Sequence, residues 1–316
     1  MSLTFDRVMV TGGAGFIGSH TVDALLDNGL HVSVLDDLST GSLDNLRRWK
    51  KNPRFHFKRA SVTSYKSVES AARKVDAIIH LASVVSPDIS LRRPEVTNEI
   101  NVLGTLTVLR VGLKNQVKRV VFASSSSLYG NPSVVPTPET AALDPITPYG
   151  VSKLAGETYC RVFYRCFDLS TVSLRYFNVY GERQNSNPYS GVIAIFRERL
   201  RKDLQPRVFG QGDQTRDFIH VSDVVKANLL ALRTGKGMGE AFNIATGRAT
   251  SINGLLHLLA ELKGKANLSP VFSRPRRGDI MHSCGNIARA HRLLGFRPKV
   301  TLRQGLELLF GVHDCS

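Results

Sequence analysis

Short apolar runs recur along the first half of the chain, at residues 8–10, 31–35, 55–57, 77–79, 120–122 and 171–174. Between them, amphipathic stretches with helical spacing lie around residues 16–28, 94–114 and 148–167. That alternation predicts an α/β fold, a doubly wound parallel sheet with helices on both faces. Right-handed crossovers then deliver the loop after each strand to the carboxyl edge of the sheet, where ligands bind. Past about residue 176 the pattern changes, and loops rich in Gly, Asn and Pro (residues 185–191, 210–214 and 275–279) break up shorter elements. A smaller, interrupted C-terminal lobe is expected there rather than more sheet. Residues 217–234 read as a strand plus helix returning to the first domain. The expected division is 1–175 with about 217–240 in the sheet domain, and 176–216 with 241–316 in the second lobe.

Composition narrows the class without naming a chemistry. With 42% hydrophobic and 22% charged residues in a chain of 316, the protein reads as ordinary and globular. No run approaches the ~20 apolar residues that cross a bilayer. The N-terminal residues 1–7 lack a signal-peptide hydrophobic region, so a cytoplasmic location is expected. Cys160, Cys166, Cys284 and Cys315 have no ligand or disulfide spacing. Cys160 and Cys166 fall in one helical stretch and read as reduced core thiols. The nine histidines form no cluster either, and no metal is expected. The net charge of +16 raises nucleic acid as a partner, but no nucleic-acid module accompanies the basic clusters at 47–51 and 197–202. A solvated basic surface suffices.

Chemistry begins at the first turn. Residues 8–11 feed directly into Gly12-Gly13-Ala14-Gly15-Phe16-Ile17-Gly18, and a helical stretch follows. Glycines at that spacing permit a tight turn, close approach of backbone to phosphate and close helix–strand packing. The helix N-terminus then offers free N–H groups to a pyrophosphate. The second strand ends in Asp36, 18 residues beyond Gly18, where a carboxylate accepts from ribose hydroxyls. A carboxylate there repels a 2′-phosphate, so NAD is favoured over NADP. The first domain therefore reads as an NAD-binding Rossmann domain.

A second signal is Tyr149-Gly150-Val151-Ser152-Lys153. Thr147 can cap a helix starting at Pro148, which puts Tyr149 and Lys153 on one face. A phenol titrates near 10, too high for a base at neutral pH. A neighbouring ammonium and a positive nicotinamide ring are expected to move it towards neutrality. Upstream, the strand at 120–122 runs into Ser124-Ser125-Ser126-Ser127-Leu128-Tyr129-Gly130, a row of hydroxyls suited to a sugar hydroxyl or ketone.

With these motifs the chain resembles the extended short-chain dehydrogenase/reductases, and among them the NAD-dependent 4-epimerases of UDP-glucose and UDP-N-acetylglucosamine. The likeness runs from about residue 7 to 310, through Asn101-Val-Leu-Gly-Thr, Arg175-Tyr-Phe-Asn-Val-Tyr-Gly, Arg216-Asp-Phe-Ile-His-Val-Ser-Asp and Arg276-Arg-Gly-Asp. It implies Ser125, Tyr149 and Lys153 as catalytic residues. Along the cofactor it implies Gly12, Gly15, Phe16, Ile17, Gly18, Asp36, Asp37, Ser39, Thr40 and Gly41, then Ser61, Val62, Leu81, Ala82, Asn101 and Tyr176, with Tyr149 and Lys153 again. Ser61 stands where relatives usually carry an Asp that reads adenine. Related 4,6-dehydratases have an Asp-Glu pair at the positions of Ser126 and Ser127, and related decarboxylases a Glu at the second. Hydroxyls at both favour reversible oxidation at C4 without elimination.

The resemblance also implies a site for a UDP-sugar in the second lobe. Asn178 is expected on the diphosphate, with Arg216 and Arg276, whose guanidinium groups suit bidentate phosphate binding. Asp279 is expected on the ribose, and Val192, Phe196, Val208 and Phe209 around the base, with core packing as the competing role for each. Ser283 falls where a bulky Tyr restricts relatives to glucose and galactose, so N-acetyl sugars are expected to fit as well. Two rival readings stay open: a UDP-glucuronate 4-epimerase, whose kind commonly has Thr in place of Asn178, and a catalytically idle NAD-binding protein associated with RNA. Helices around 94–114 and 148–167 are expected to form a homodimer contact.

Overall fold

The computed structural model describes residues 5–185, 191–264, 268–275 and 278–311. The six apolar runs form strands β1 (Arg7–Thr11), β2 (His31–Asp36), β3 (Phe55–Arg59), β4 (Ala77–His80), β5 (Arg119–Ser125) and β6 (Thr171–Tyr176). The chain continues through β7 (Asn178–Tyr180), β8 (Arg207–Phe209), β9 (Thr215–Arg216), β10 (Phe218–His220), β11 (Glu240–Ile244), β12 (Thr250–Ser251), β13 (Val271–Ser273) and β14 (His282–Ser283). A seven-stranded parallel sheet has the order β11-β6-β5-β4-β1-β2-β3. The order reverses between β1 and β4, and a crevice opens at such a switch point, beyond the carboxyl ends of the strands.

The helices are α1 (Phe16–Asp27), α2 (Tyr65–Ala71), α3 (Pro87–Arg92), α4 (Pro94–Asn98), α5 (Gly104–Lys114) and α6 (Pro148–Phe167). After them come α7 (Val192–Arg201), α8 (Val221–Arg233), α9 (Ile252–Leu262), α10 (Ala288–Leu294) and α11 (Leu302–Phe310). Strand residues alternate between two layers, which explains apolar runs with no polar face. Val8, Val10, Ile79 and Val121 pack with Val22 and Leu25 of α1 and Val224 and Ala227 of α8. Met9, Ile78, Val120 and Phe122 pack with Val68 of α2, Leu109 of α5 and Phe163 of α6. Each such buried side chain contributes about 1.5–3 kcal/mol. A separate core in the second lobe gathers Phe196, Val208, Leu255, Leu259 and Leu306.

Four details depart from the sequence expectation. The sheet gains a seventh strand, β11, from residues 240–244, nearly all of which were expected in the second lobe. Its Phe242 and Ile244 are fully buried, but polar Asn243 between them hid the run. The strand expected from residues 217–234 exists as β10, yet it pairs with β7 in a two-stranded ribbon outside the sheet, and only α8 returns. The helical stretch at 94–114 is broken by a π turn, Glu99–Leu103, centred on Asn101. Cys160 lies in the core, but Cys166, six residues on, is turned outward and exposed.

Candidate active site

At the carboxyl end of β1, Gly12 takes a φ of +70°, and a Cβ there would lie 2.7 Å from the Ala82 nitrogen. A Cβ at Gly18 would lie 2.0 Å from the Gly12 oxygen, so only glycine lets α1 seat against the turn. Gly15 caps α1 without a side-chain hydrogen bond, which leaves the N–H groups of Phe16 and Ile17 open to an anion. Buried Asp36 accepts from the Ala14 N–H at 2.9 Å and the Leu38 N–H at 2.8 Å. Burial raises its pKa and those two donors oppose the rise. Each carboxylate oxygen keeps a lone pair for a ribose hydroxyl. A cradle that a Cβ would fill, an uncapped helix and a carboxylate at the end of β2 together fit a dinucleotide.

The other expected cofactor residues are more varied. Asp37 accepts from the Ser39 N–H at 2.9 Å, and Gly41 lies so close to Ala14 that a Cβ would sit 2.8 Å from its carbonyl carbon. The Thr40 carbonyl accepts from Asn185 at 2.8 Å. Ser61 shares a hydrogen bond with Thr63, and Val62 is buried. Leu81 and Ala82 donate their N–H groups to Thr11. Asn101 spends all four of its hydrogen-bonding positions on the protein: Nδ2 donates to Val84 O and Ser152 Oγ, and Oδ1 accepts from Val84 N and Ser83 Oγ. Tyr176 turns its hydroxyl to Asn228 Oδ1 at 2.5 Å. For these last two, the polar groups hold loops and helices together.

On the other side of the crevice, β5 ends at Ser125 and α6 begins as expected. Thr147 Oγ1 accepts from the Gly150 N–H at 3.2 Å, Pro148 occupies the first turn, and the helix stops where Asp168 turns left-handed. Ser125 Oγ accepts from the Ser127 N–H at 3.1 Å and from Ser127 Oγ at 2.9 Å. Its own proton is therefore free for Tyr149, to which it is hydrogen bonded. Ser126 and Ser127 are half-buried beside it. Lys153 is buried, donates to the Ala123 carbonyl at 2.9 Å and stands 6.0 Å from the Tyr149 ring centre. Burial brings Lys153 down to about 7. Burial also raises Tyr149, with the Ser125 hydrogen bond opposing. The protein's own groups thus push the phenol up, and the expected fall depends on the positive nicotinamide ring as well. Lys153 faces a carbonyl, and its charge is the costly one.

The expected residues of the second lobe fall in different surroundings. Asn178 Nδ2 reaches the Asp217 carbonyl at 3.4 Å in the β7–β10 ribbon. Arg216 pairs with Asp279 at 2.5 Å. Burial lowers the Arg216 pKa and the Asp279 charge opposes that. Ser283, on β14, lies in register beside Arg216 and is buried. Val192 and Phe209 are partly exposed, whereas Phe196 and Val208 are sealed inside the lobe core and present no open wall to a base. Arg276 lies outside the described residues.

A family model described as the NAD dependent epimerase/dehydratase family matches residues 8–245. The chain belongs to that family. NAD is its cofactor. Among solved structures similar to this epimerase/dehydratase is the UDP-glucose 4-epimerase of Thermotoga maritima with UDP-glucose, 41% identical, TM-score 0.91, covering 97% of this chain and 98% of that one. The UDP-N-acetylglucosamine 4-epimerase of Methanobrevibacter ruminantium is 31% identical, TM-score 0.91, covering 98% and 99%. The UDP-glucose 4-epimerase of Thermus thermophilus in complex with NAD is 36% identical, TM-score 0.88, covering 96% and 98%.

The epimerase/dehydratase chain also carries a buried polar network that sequence reasoning passed over. Ser124 Oγ donates to Glu157 Oε2 at 2.7 Å, and Arg175 clamps the same carboxylate at 2.6 and 3.1 Å. Arg175 donates onward to Tyr129 Oη at 2.6 Å, and Tyr129 to Asn243 Oδ1 at 2.7 Å. The network braces the serine row from behind. One signal was available: Tyr149, Lys153 and Glu157 follow at successive i+4 positions on one helix face.

Proposed function

We infer that the protein interconverts C4 epimers of UDP-hexoses. The observation that carries this is the Ser125–Tyr149 hydrogen bond beside Lys153, with hydroxyls rather than carboxyls at Ser126 and Ser127. Water elimination needs an acid and a base at those neighbouring positions, and Glu157 is tied up behind the strand by Arg175. Bound NAD supplies a reversible hydride acceptor at C4. Tyr149 Oη takes the C4 hydroxyl proton and returns it, and Ser125 stabilises the phenolate by donating to it. Lys153, held near neutrality, adds positive charge close to that oxygen. Gly12 to Gly18 hold the pyrophosphate and Asp36 the ribose of NAD. Arg216 and Asn178 hold the diphosphate of the substrate, and Asp279, paired with Arg216, takes its ribose.

Small Ser283 leaves room for an acetamido group, so both glucose- and N-acetylglucosamine-type sugars are substrates. Exposed Leu103, Val151, Tyr159 and Val162 on the π turn and α6 supply the apolar face of a homodimer. Among the described residues no helix is long and apolar enough to cross a membrane. The test is incubation of purified protein with UDP-glucose, UDP-N-acetylglucosamine and UDP-glucuronate separately, without added NAD. The first two yield C4 epimers, and Tyr149→Phe nearly abolishes conversion. Equal turnover of UDP-glucuronate, or a 6-deoxy-4-keto product, would overturn the assignment.

A further inference from the structure

His80 is the last residue of β4, is almost fully buried, and has no part in the chemistry described so far. Its two ring nitrogens each meet a threonine hydroxyl: Nδ1 lies 2.7 Å from Thr11 Oγ1, and Nε2 lies 3.0 Å from Thr105 Oγ1. The neighbours of those hydroxyls fix the direction of every proton. Thr105 Oγ1 is 2.6 Å from the Asn101 carbonyl, an oxygen that can only accept, so the Thr105 proton goes there. Nε2 must then carry hydrogen and donate to Thr105. Thr11 Oγ1 already accepts from the Ala82 N–H at 3.3 Å, and its own proton is used by an unprotonated Nδ1. The reverse tautomer would leave the Thr11 proton without an acceptor and set two oxygens 2.6 Å apart with no hydrogen between them.

The result is one directed chain, from Ala82 through Thr11, His80 and Thr105 to the carbonyl of Asn101. It joins three pieces of the cofactor crevice: the end of β1 at the glycine turn, the loop after β4, and the π turn. From there Asn101 Nδ2 donates to Ser152, the residue before Lys153. The imidazole also lies 5.8 Å from the Phe122 ring and within reach of the charge of Lys153.

The geometry points to His80, as the neutral Nε2–H tautomer, being a positioning residue that locks the glycine turn and the loop after β4 to the helix bearing Lys153. The inference deepens the reading of this crevice as the NAD site and does not depend on which sugar is turned over. Protonation would make Nδ1 a second donor onto Thr11 Oγ1 and remove the acceptor of the Thr11 proton. Burial together with the Lys153 charge accordingly holds His80 at about 3, so the imidazole adds no charge beside Lys153. A histidine suits this place because a single ring spans both hydroxyls as acceptor and donor at once.

Long-range nitrogen–proton NMR of 15N-histidine protein with its NAD in place tests this directly, with His80 assigned by its loss in His80→Gln. The expected spectrum shows a protonated Nε2 and an unprotonated Nδ1, unchanged across the neutral range. A protonated Nδ1, or titration in that range, overturns the proposal. Thr105→Val gives the second arm, because it removes the hydroxyl and leaves His80 in place. We expect faster loss of NAD on gel filtration and a kcat about tenfold lower with little change in KM, since small displacements of a reacting pair are costly. Thr105→Ser rescues both. Undiminished NAD retention in Thr105→Val overturns the positioning role. NAD retention and the tautomer are both read without any sugar, so a wrong substrate assignment leaves them unaffected.

Discussion

Lys153→Met isolates the cost of keeping an ammonium buried beside the serine row. Lys153 is held at about 7 against an ordinary 10.5, with burial as the leading cause. The interval between those values corresponds to roughly 5 kcal/mol. Below about pH 7 the amine is charged in the folded and the unfolded chain alike, so the native state carries the full cost. Above about pH 10.5 it is neutral in both and the cost is gone. Between the two the unfolded chain binds one proton more, so native stability rises with pH by up to ~1.4 kcal/mol per pH unit. Methionine has a similar length and no charge, so the variant lacks this dependence. It also loses the bond to the Ala123 carbonyl, an offset of about 1 kcal/mol that does not vary with pH. Urea unfolding of NAD-free protein at about pH 6, 8 and 10 gives the comparison. The variant is the more stable at the lowest pH, and its advantage shrinks by several kcal/mol towards the highest. Turnover falls by about a hundredfold or more. Parallel stability curves for the two proteins would mean that the buried amine carries no such cost.

Three other changes probe separate parts of the site. Gly18→Ala puts a methyl 2.0 Å from the Gly12 oxygen and should yield protein purified without NAD, checked by absorbance after acid release. Glu157→Ala leaves Arg175 buried without its carboxylate, and should cost about 3–5 kcal/mol in denaturant unfolding. A much smaller loss would mean the network is solvated. Ser283→Tyr should keep UDP-glucose turnover while cutting that of UDP-N-acetylglucosamine, because a bulky side chain rejects by clash. Equal losses on both sugars would remove Ser283 from the sugar pocket.

The sheet domain was legible because its signals are local. Six strands showed as apolar runs, and the glycine turn, Asp36 and the Thr147 cap each depend on a few neighbouring residues. What escaped notice depends on contacts between distant segments. β11 hides behind polar Asn243, which is satisfied by Tyr129 and by the Thr137 and Asn286 carbonyls from far along the chain. Asn101 reads as a ligand residue in a motif, yet its amide is spent on residues 83, 84 and 152. Likewise Phe196 and Val208 cannot be told from pocket walls by sequence, since apolar residues serve both roles. Spacing put Lys153 beside Tyr149 but says nothing of the burial that raises the phenol in the chain's own surroundings.

On the mechanism we propose, hydride leaves C4 and returns to it while Tyr149 handles the proton. UDP-glucose deuterated at C4 tests this in one incubation without added NAD, read by mass spectrometry and proton NMR of the product. The expected product is UDP-galactose that keeps deuterium at C4. Loss of the label to water, or its appearance at C6 in a 4-keto product, would contradict that mechanism.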